Sequence, residues 1–385
     1  MADSTTAQYE AGYAAGWLAA SQLYANPLLQ PANPTGNATV IISSDGTGGA
    51  IARDISSQIV AQGPESGIVF SNAFTKGNNI FVRNGNYIFT RPAQIPNLSG
   101  LVIQGEGAVT IDARKVGGTV EMRRKTTQNG IFNHGREDSN FGIVTPISNI
   151  TIRNFTILGS FTAEMYEAND IFMAGIRLDL VTNFIIQNIT TRNVGISVSC
   201  QGNHGGIISN CKSYNDGAGP TLGSRNGQII VDSCYTYASL DDSFAMLGGE
   251  NTGGFVFSNN IADKAQAPRV TASCFKLDSG LGLSDVKYIN CKALNAKPGR
   301  PEIQGGFING DPSIRNITYT GCQAINCHQG FKMAGQNCVM HGCNASNCNY
   351  GIVIEGKSPG NQILYASLSG NKQDTWFLTQ PAAFA

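Results

Sequence analysis

Two adjacent carboxylates, Asp241 and Asp242 in the run SLDDSFAM, are the residues of this chain whose type and spacing speak most directly of chemistry. Comparable turns elsewhere in the sequence carry Gly before the strand, so an acidic pair departs from the local pattern. Asp216, in Tyr214-Asn215-Asp216-Gly217, stands 25 residues earlier. If that spacing is about one structural repeat, Asp216 and Asp241 face the same side with ~5 Å of rise between them. Carboxylates gathered in this way push their pKa values apart, leaving one protonated as an acid while another stays ionised. That is the apparatus of glycoside hydrolysis. The plainer reading is that Asp in an Asn-Asp-Gly run is a common turn residue. Downstream, Lys276 and Asp278 add a cation and a further carboxylate. A β-elimination lyase or uronate epimerase needs a Lys, Arg or His base and often a calcium held by carboxylates, and Lys276 with Asp278, Asp241 and Asp242 permits that too. His204, in Gly202-Asn-His-Gly-Gly, lies in the turn before Asp216 and is placed to join the same site, or is simply a turn histidine.

The elements that must position these groups are visible as a repeat. Nine segments share one pattern, among them ITIRNF (Ile150–Phe155), FIIQNI (Phe184–Ile189), GIISNC (Gly206–Cys211), IIVDSC (Ile229–Cys234), VKYINC (Val286–Cys291), CVMHGC (Cys338–Cys343) and ILYASL (Ile363–Leu368). A second series lies between them, including Gly175-Ile-Arg-Leu, Gly195-Ile-Ser-Val, Ser243-Phe-Ala-Met and Gly330-Phe-Lys-Met. Short alternating strands, a turn after each and no helical periodicity predict an all-β fold. The fold class expected is a single-stranded right-handed parallel β-helix, a solenoid of about 22–34 residues per coil with an N-terminal capping segment. A β-sandwich also has many short strands, but it does not return the same residue types to the same place in each repeat. Stacked coils do, because neighbours ~4.8 Å apart align equivalent side chains in columns.

Cys211, Cys234, Asn260, Cys291, Cys322 and Cys343 form one such column, and Cys327 and Cys348 begin another. A ladder of buried free thiols accounts for them all. The Cys-x4-Cys spacing suits zinc poorly, and disulfides remain the other alternative. The Asn-Phe-Thr and Asn-Ile-Thr runs at Asn154 and Asn188 fall inside the repeat and read as turn ladders rather than glycosylation sites.

Composition narrows the function. Charged residues are 14% of the chain and balance to a net charge of zero, against ~25% charged in an ordinary globular protein. A nucleic-acid partner would call for a basic excess or stripe. No apolar run is long enough for a membrane span. The first residues lack the basic region of a secretory signal, so no export signal is recognisable. None of the four His sits in a metalloprotease or Ser-His-Asp context, and no P-loop or dinucleotide fingerprint occurs, so neither cofactor nor metal is expected. The division expected is 1–74 as an N-terminal cap or attachment segment, 75–375 as the β-helix and 376–385 as a tail. Within 1–40, the Ala-rich stretch from Tyr9 to Tyr24 suits a cap over the open end of the solenoid. Long repeats at Gly159–Ala174, Asp263–Ser273 and Ala296–Gly305 are expected to project loops that wall a groove. They carry Glu164, Tyr166, Glu167, Lys264, Arg269, Lys297, Arg300 and Glu302, of which Arg269 and Arg300 are the candidates for holding an anionic sugar polymer.

The repeat resembles the right-handed parallel β-helix proteins of the pectin-lyase-like superfamily over roughly residues 75–375. Part of it is similar to the polygalacturonases, whose ordered motifs are Asn-Thr-Asp, Asp-Asp, Gly-His-Gly and Arg-Ile-Lys. Asn215-Asp216-Gly217 resembles the first without its Thr, Asp241-Asp242 the second, and Phe275-Lys276 the fourth, with Cys274 in place of Arg. The Gly-His-Gly motif is missing between Asp242 and Lys276. The resemblance implies a glycoside hydrolase acting on an acidic glycan, with Asp216, Asp241 and Asp242 catalytic and Lys276 holding a substrate carboxylate. The zero net charge, the low charge fraction, the lack of a recognisable export signal and the missing Gly-His-Gly favour an alternative, a non-enzymatic structural or receptor-binding β-helix such as a virion spike, appendage or adhesin. Spikes of this fold are often trimers, so a homo-oligomer through the N-terminal segment or a helix face is open to that alternative, and nothing in the sequence decides it. Polysaccharide is the partner expected, and the expected place is extracellular or a particle surface.

Overall fold

The computed structural model describes residues 38–116, 130–135, 144–167, 173–249, 252–265, 273–278, 282–296, 305–355 and 359–378. Short strands with one face buried break at sharp corners, and repetition of that rule builds the architecture. The strands form two sheets, one of 23 strands and one of 11. Among the described residues pairing is parallel throughout, except where Val40–Ser44, Ala50–Asp54 and Ile59–Gly63 pair antiparallel at the start. The 11-stranded sheet stacks strictly in chain order, from Ala93–Gln94 through Ala174–Asp179, Phe244–Leu247 and Phe275–Asp278 to Gln373–Leu378. This is a parallel β-helix, as the repeat predicts.

Left-handed backbone makes the corners, and Asn is the side chain that tolerates it best after Gly. One column of corners runs Asn154, Asn188, Asn210, Ser233, Asn259 and Asn290, with φ between 51° and 66°, and continues in Gly321 and Gly342 at 61°. The stacked amides bond to one another: Asn188 Nδ2 donates to Asn154 Oδ1 at 2.9 Å and Asn210 Nδ2 to Asn188 Oδ1 at 2.7 Å. The residue after each corner points inward. That position holds Cys211, Cys234, Asn260, Cys291, Cys322 and Cys343, all buried, and all ten cysteines are free thiols. The register ends this column at Ala366, since Asn344 pairs with Ser367. The match of Ile363–Leu368 to Cys338–Cys343 is therefore two residues out. The same correction applies to the second series, in which Gly175 stands opposite Ser197 rather than Gly195.

Between the sheets the core repeats as well. Phe244, Phe275, Phe307 and Phe331 stack face to face at 4.9, 4.7 and 4.8 Å, and Tyr288 lies on Tyr319 at 5.2 Å. Each such buried ring contributes ~1.5–3 kcal/mol relative to exposure. At the N-terminal end the helix Ser66–Phe74 lays Phe70 against Phe89 and Tyr87 at 5.2 and 5.3 Å, covering the open end of the core. The strand Val40–Ser44 pairs in parallel with Asn79–Val82, so β-helical pairing begins before residue 75. The last strand, Gln373–Leu378, carries it past residue 375. The Tyr9–Tyr24 stretch lies outside the described residues.

Candidate functional site

The strands of the 11-stranded sheet place one column of side chains on its outer face. Arg177, Ser199, Thr221, Ala245 and Lys276 are successive register partners. At ~4.8 Å per strand the column spans about 19 Å. Its middle members are small, so they form the floor of an open cleft of about 270 Å³, with Arg177 at one end and Lys276 at the other. Asp241, Asp242, Asp278 and Leu247 complete the working part of its lining. Three of these carboxylates against two cations leave the cleft with an acidic surplus.

Asp241 and Asp242 reach the cleft because their turn is tied to the coil before it. Asp241 N–H donates to Gly217 O at 2.6 Å, and Asp242 N–H to Asp241 Oδ1 at 2.9 Å. Asp242 is buried, with Oδ1 accepting from Ser273 N–H at 2.7 Å and Oδ2 lying 3.3 Å from Lys276 Nζ. Lys276 Nζ also lies 3.3 Å from Asp278 Oδ2. Burial, and then repulsion by Asp241, push Asp242 up to about 6 despite the attraction of Lys276. Burial works against the Lys276 ammonium, but Asp242 and Asp278 together hold its pKa above the ordinary lysine value. The arrangement can hold a proton on a carboxyl near neutrality at the edge of an open groove.

The structure thus brings together Asp241, Asp242, Lys276 and Asp278, and leaves Asp216 and His204 elsewhere. Asp216 stacks on Ser239 rather than Asp241, because Asn215 and Ala238 are partner corners. Standing after its corner, it points inward, fully buried, and accepts hydrogen bonds from Thr191 Oγ1, from Ser213 Oγ at 2.6 Å and from Val194 N–H at 2.9 Å. Burial pushes it up to about 7. His204 is exposed on the 23-stranded sheet, pairing with Thr182 and Gly227, and does not line the cleft. Lys264, expected to project into a groove, is instead buried beneath the acidic turn. Arg269 and Arg300 lie outside the described residues, as do Lys297 and Glu302.

Arg177 is the cleft residue that the motif reading passed over. Its Nε and Nη2 donate to Asp179 Oδ2 at 3.0 and 2.8 Å. The signal was present in the second series, where Gly175-Ile-Arg-Leu, Cys274-Phe-Lys-Leu and Gly330-Phe-Lys-Met each put a base at the outward position. Among the described residues no three His, Cys, Asp or Glu side chains form a metal-holding group, and no helix is long and apolar enough to cross a membrane.

No protein-family model matches the sequence, and no curated protein matches it. Solved structures do. The catalytic unit of a GH87 α-1,3-glucanase from Streptomyces thermodiastaticus is similar with a TM-score of 0.57 at 11% identity, over 91% of this chain and 67% of that one. A GH87 α-1,3-glucanase catalytic domain in complex with nigerose gives 0.53 at 12% identity, over 90% and 69%. The N-terminal fragment of bacteriophage Phi29 gene product 12 gives 0.51 at 14% identity, over 80% and 60%. The chain spans about three fifths to two thirds of the length of these structures. A likeness at such identity is one of fold, and the fold is that of the right-handed parallel β-helix.

Proposed function

We propose that the chain cleaves a polysaccharide in this cleft as a glycoside hydrolase. The observation that supports the reading is the convergence of Asp241, Asp242, Lys276 and Asp278 at one end of a groove floored by Ser199, Thr221 and Ala245. A sugar chain lies along the floor, parallel to the solenoid axis. Asp242, held near pH 6, gives its proton to the glycosidic oxygen as the C–O bond breaks. Asp241 takes a proton from the water whose oxygen bonds to the anomeric carbon, and exchange with solvent resets both carboxyls. Lys276 stabilises Asp242 once it has lost its proton.

An acidic glycan would draw on Lys276, but Asp242 and Asp278 already engage that ammonium, so neutral glucans belong beside uronates among the substrates. A lyase or epimerase using Lys276 as base is disfavoured, because its neighbours hold its proton more tightly. A second reading, a non-enzymatic rod or attachment protein, is favoured by one fact: both oxygens of Asp242 are engaged, by Ser273 N–H and by Lys276, as in a purely structural turn.

The test is a depolymerisation assay on acidic and neutral polysaccharides, following reducing ends and the ultraviolet absorbance of unsaturated products together. Reducing ends without absorbance are expected, lost by at least 100-fold in Asp241→Asn/Asp242→Asn and declining as pH rises through about 6. Absorbance would transfer the assignment to a lyase. No product from any polysaccharide, with glycan binding or self-assembly intact, would leave the rod.

A further inference from the structure

Lys264 is 3% exposed, and its environment is unusual for a lysine. Nζ donates to Ser239 O and Ser239 Oγ, each at 3.0 Å, and to Asp241 O. A protonated amine has three donors, and here all of them have an acceptor. The backbone of the coil explains how the side chain gets there. Asn193, Asn215, Ala238, Lys264, Asn295, Asn326 and Asn347 occupy one column of corners, through the pairings Arg192–Tyr214, Tyr214–Tyr237, Tyr237–Asp263, Asp263–Leu294, Leu294–Ile325 and Ile325–Ser346 just before them. Five of the seven are Asn. The break falls at the coil that carries Asp241 and Asp242 and at the coil after it. At that second coil the usual orientation is reversed, with Lys264 buried and Ala265 exposed. A corner amide has been exchanged for a cation aimed under the acidic turn.

We infer that Lys264 is the positioning residue of the acidic turn, a protonated amine that fixes the Ser239–Asp242 backbone and sets one positive charge beneath the carboxylate pair. The inference rests on the cleft as the working site. Its first part follows from the hydrogen bonds, since the carbonyls of Ser239 and Asp241 converge on one nitrogen and the turn between them cannot open without leaving a buried ammonium unpaired. Its second part follows from the surroundings of Asp242. Asp241 faces it from its own turn, Lys276 from the strand Phe275–Asp278 with Asp278 beyond, Arg177 lies at the far end of the cleft, and Lys264 stands below. Cys274, also beside Lys264, has its thiol pushed up to about 12 by burial and stays neutral. Burial lowers the pKa of Lys264 itself, while the carboxylates of Asp242 and Asp241 oppose that shift.

The experiment follows the Asp242 carboxyl carbon by NMR from pH 4 to pH 9 in the whole protein labelled at aspartate, assigned with Asp242→Asn, in the wild type, Lys264→Met and Lys264→Gln. The wild-type midpoint is expected near 6, rising by about one pH unit in both variants. Lys264→Gln, which keeps an N–H donor, is expected to resist denaturant better than Lys264→Met. An unmoved midpoint in a folded variant overturns the inference. If neither variant folds, the Lys264 Nζ resonance of the wild type decides: protonated at pH 7 supports the inference, neutral overturns it. A wild type inactive on every glycan would sink the hydrolase reading yet leave these midpoints as they are, so the two failures are distinct.

Discussion

The coils around residues 290–350 and those around residues 210–280 solve the same corners in opposite ways. In the first stretch Asn295, Asn326 and Asn347 repeat at the corner, Nδ2 of Asn326 reaches Oδ1 of Asn295 at 2.7 Å, and the inward position beyond holds Ala296, Cys327 and Cys348. Nothing charged is buried at this corner, and each coil is supported by an equivalent neighbour. In the second stretch Ala238 adopts the left-handed conformation at φ 53° without an amide, Asp216 and Ser239 fill the inward position, and Lys264 is buried at the next corner. A solenoid gains stability from like stacked on like. Departures that bury an acid, a hydroxyl and an amine lose part of that gain. Here they cluster at the coils that build the cleft. The regular coils hold the molecule together, and the irregular ones shape a polar site on it.

The comparison breaks most visibly if the regular stack is cut. Phe307→Ala removes a ring lying between Phe275 and Phe331 at 4.7 and 4.8 Å, and is expected to lower the unfolding free energy by ~3–5 kcal/mol in a denaturant titration. A loss below 1 kcal/mol would mean the aromatic column is not what supports those coils.

The buried acid of the irregular stretch gives the next effect, and it depends on pH. Asp216 is raised in the fold to about 7, against about 4 in the unfolded chain. The folded state therefore binds the proton more tightly, and the stability this brings, present at pH 4, is lost as pH rises to about 7. Asp216→Asn removes the titration. Its stability relative to wild type is expected to improve between pH 4 and pH 8, with a ceiling of ~4 kcal/mol at ~1.4 kcal/mol per pH unit. A difference that stays flat across that range would show that Asp216 is ionised throughout, held by its three donors.

The smallest effect sharpens the contrast. Ala238→Asn restores the amide to the corner between Asn215 and Lys264, and is expected to raise stability by ~0.5–1 kcal/mol. The equivalent change in the regular stretch has no site to repair. A destabilised Ala238→Asn would show that the small side chain is needed to admit Lys264.

Much of this was legible in the residues. The Cys column is read correctly from Cys211 to Cys343, because a buried thiol after an Asn, Ser or Gly corner is a local signature. The approach of Asp241, Asp242, Lys276 and Asp278 follows from the same repeat. The errors have one form. The repeat aligns Gly175 with Gly195 where the register pairs it with Ser197, Cys343 with Leu368 where it pairs with Ala366, and Asp216 with Asp241 where it pairs with Ser239, each a slip of two. Within a strand a shift of two preserves the alternation of inward and outward side chains, so the hydrophobic pattern does not oppose it, and the turns of Asp216 and Asp241 carry no alternation at all. Only the hydrogen bonds between coils fix the count.

By itself the sequence determined the solenoid, its columns and the order in which acids and bases follow along it, because αL-tolerant corners and alternating strands are properties of single residues and their neighbours. Tertiary structure decided which of those charged groups meet. Asp216 faces the core, Lys264 supports a turn from below, and Arg177 shares a groove with Lys276 across four intervening steps of the sheet. Those outcomes depend on the exact register between coils and on how far each side chain leaves the solvent, and neither is a property of any one segment of chain.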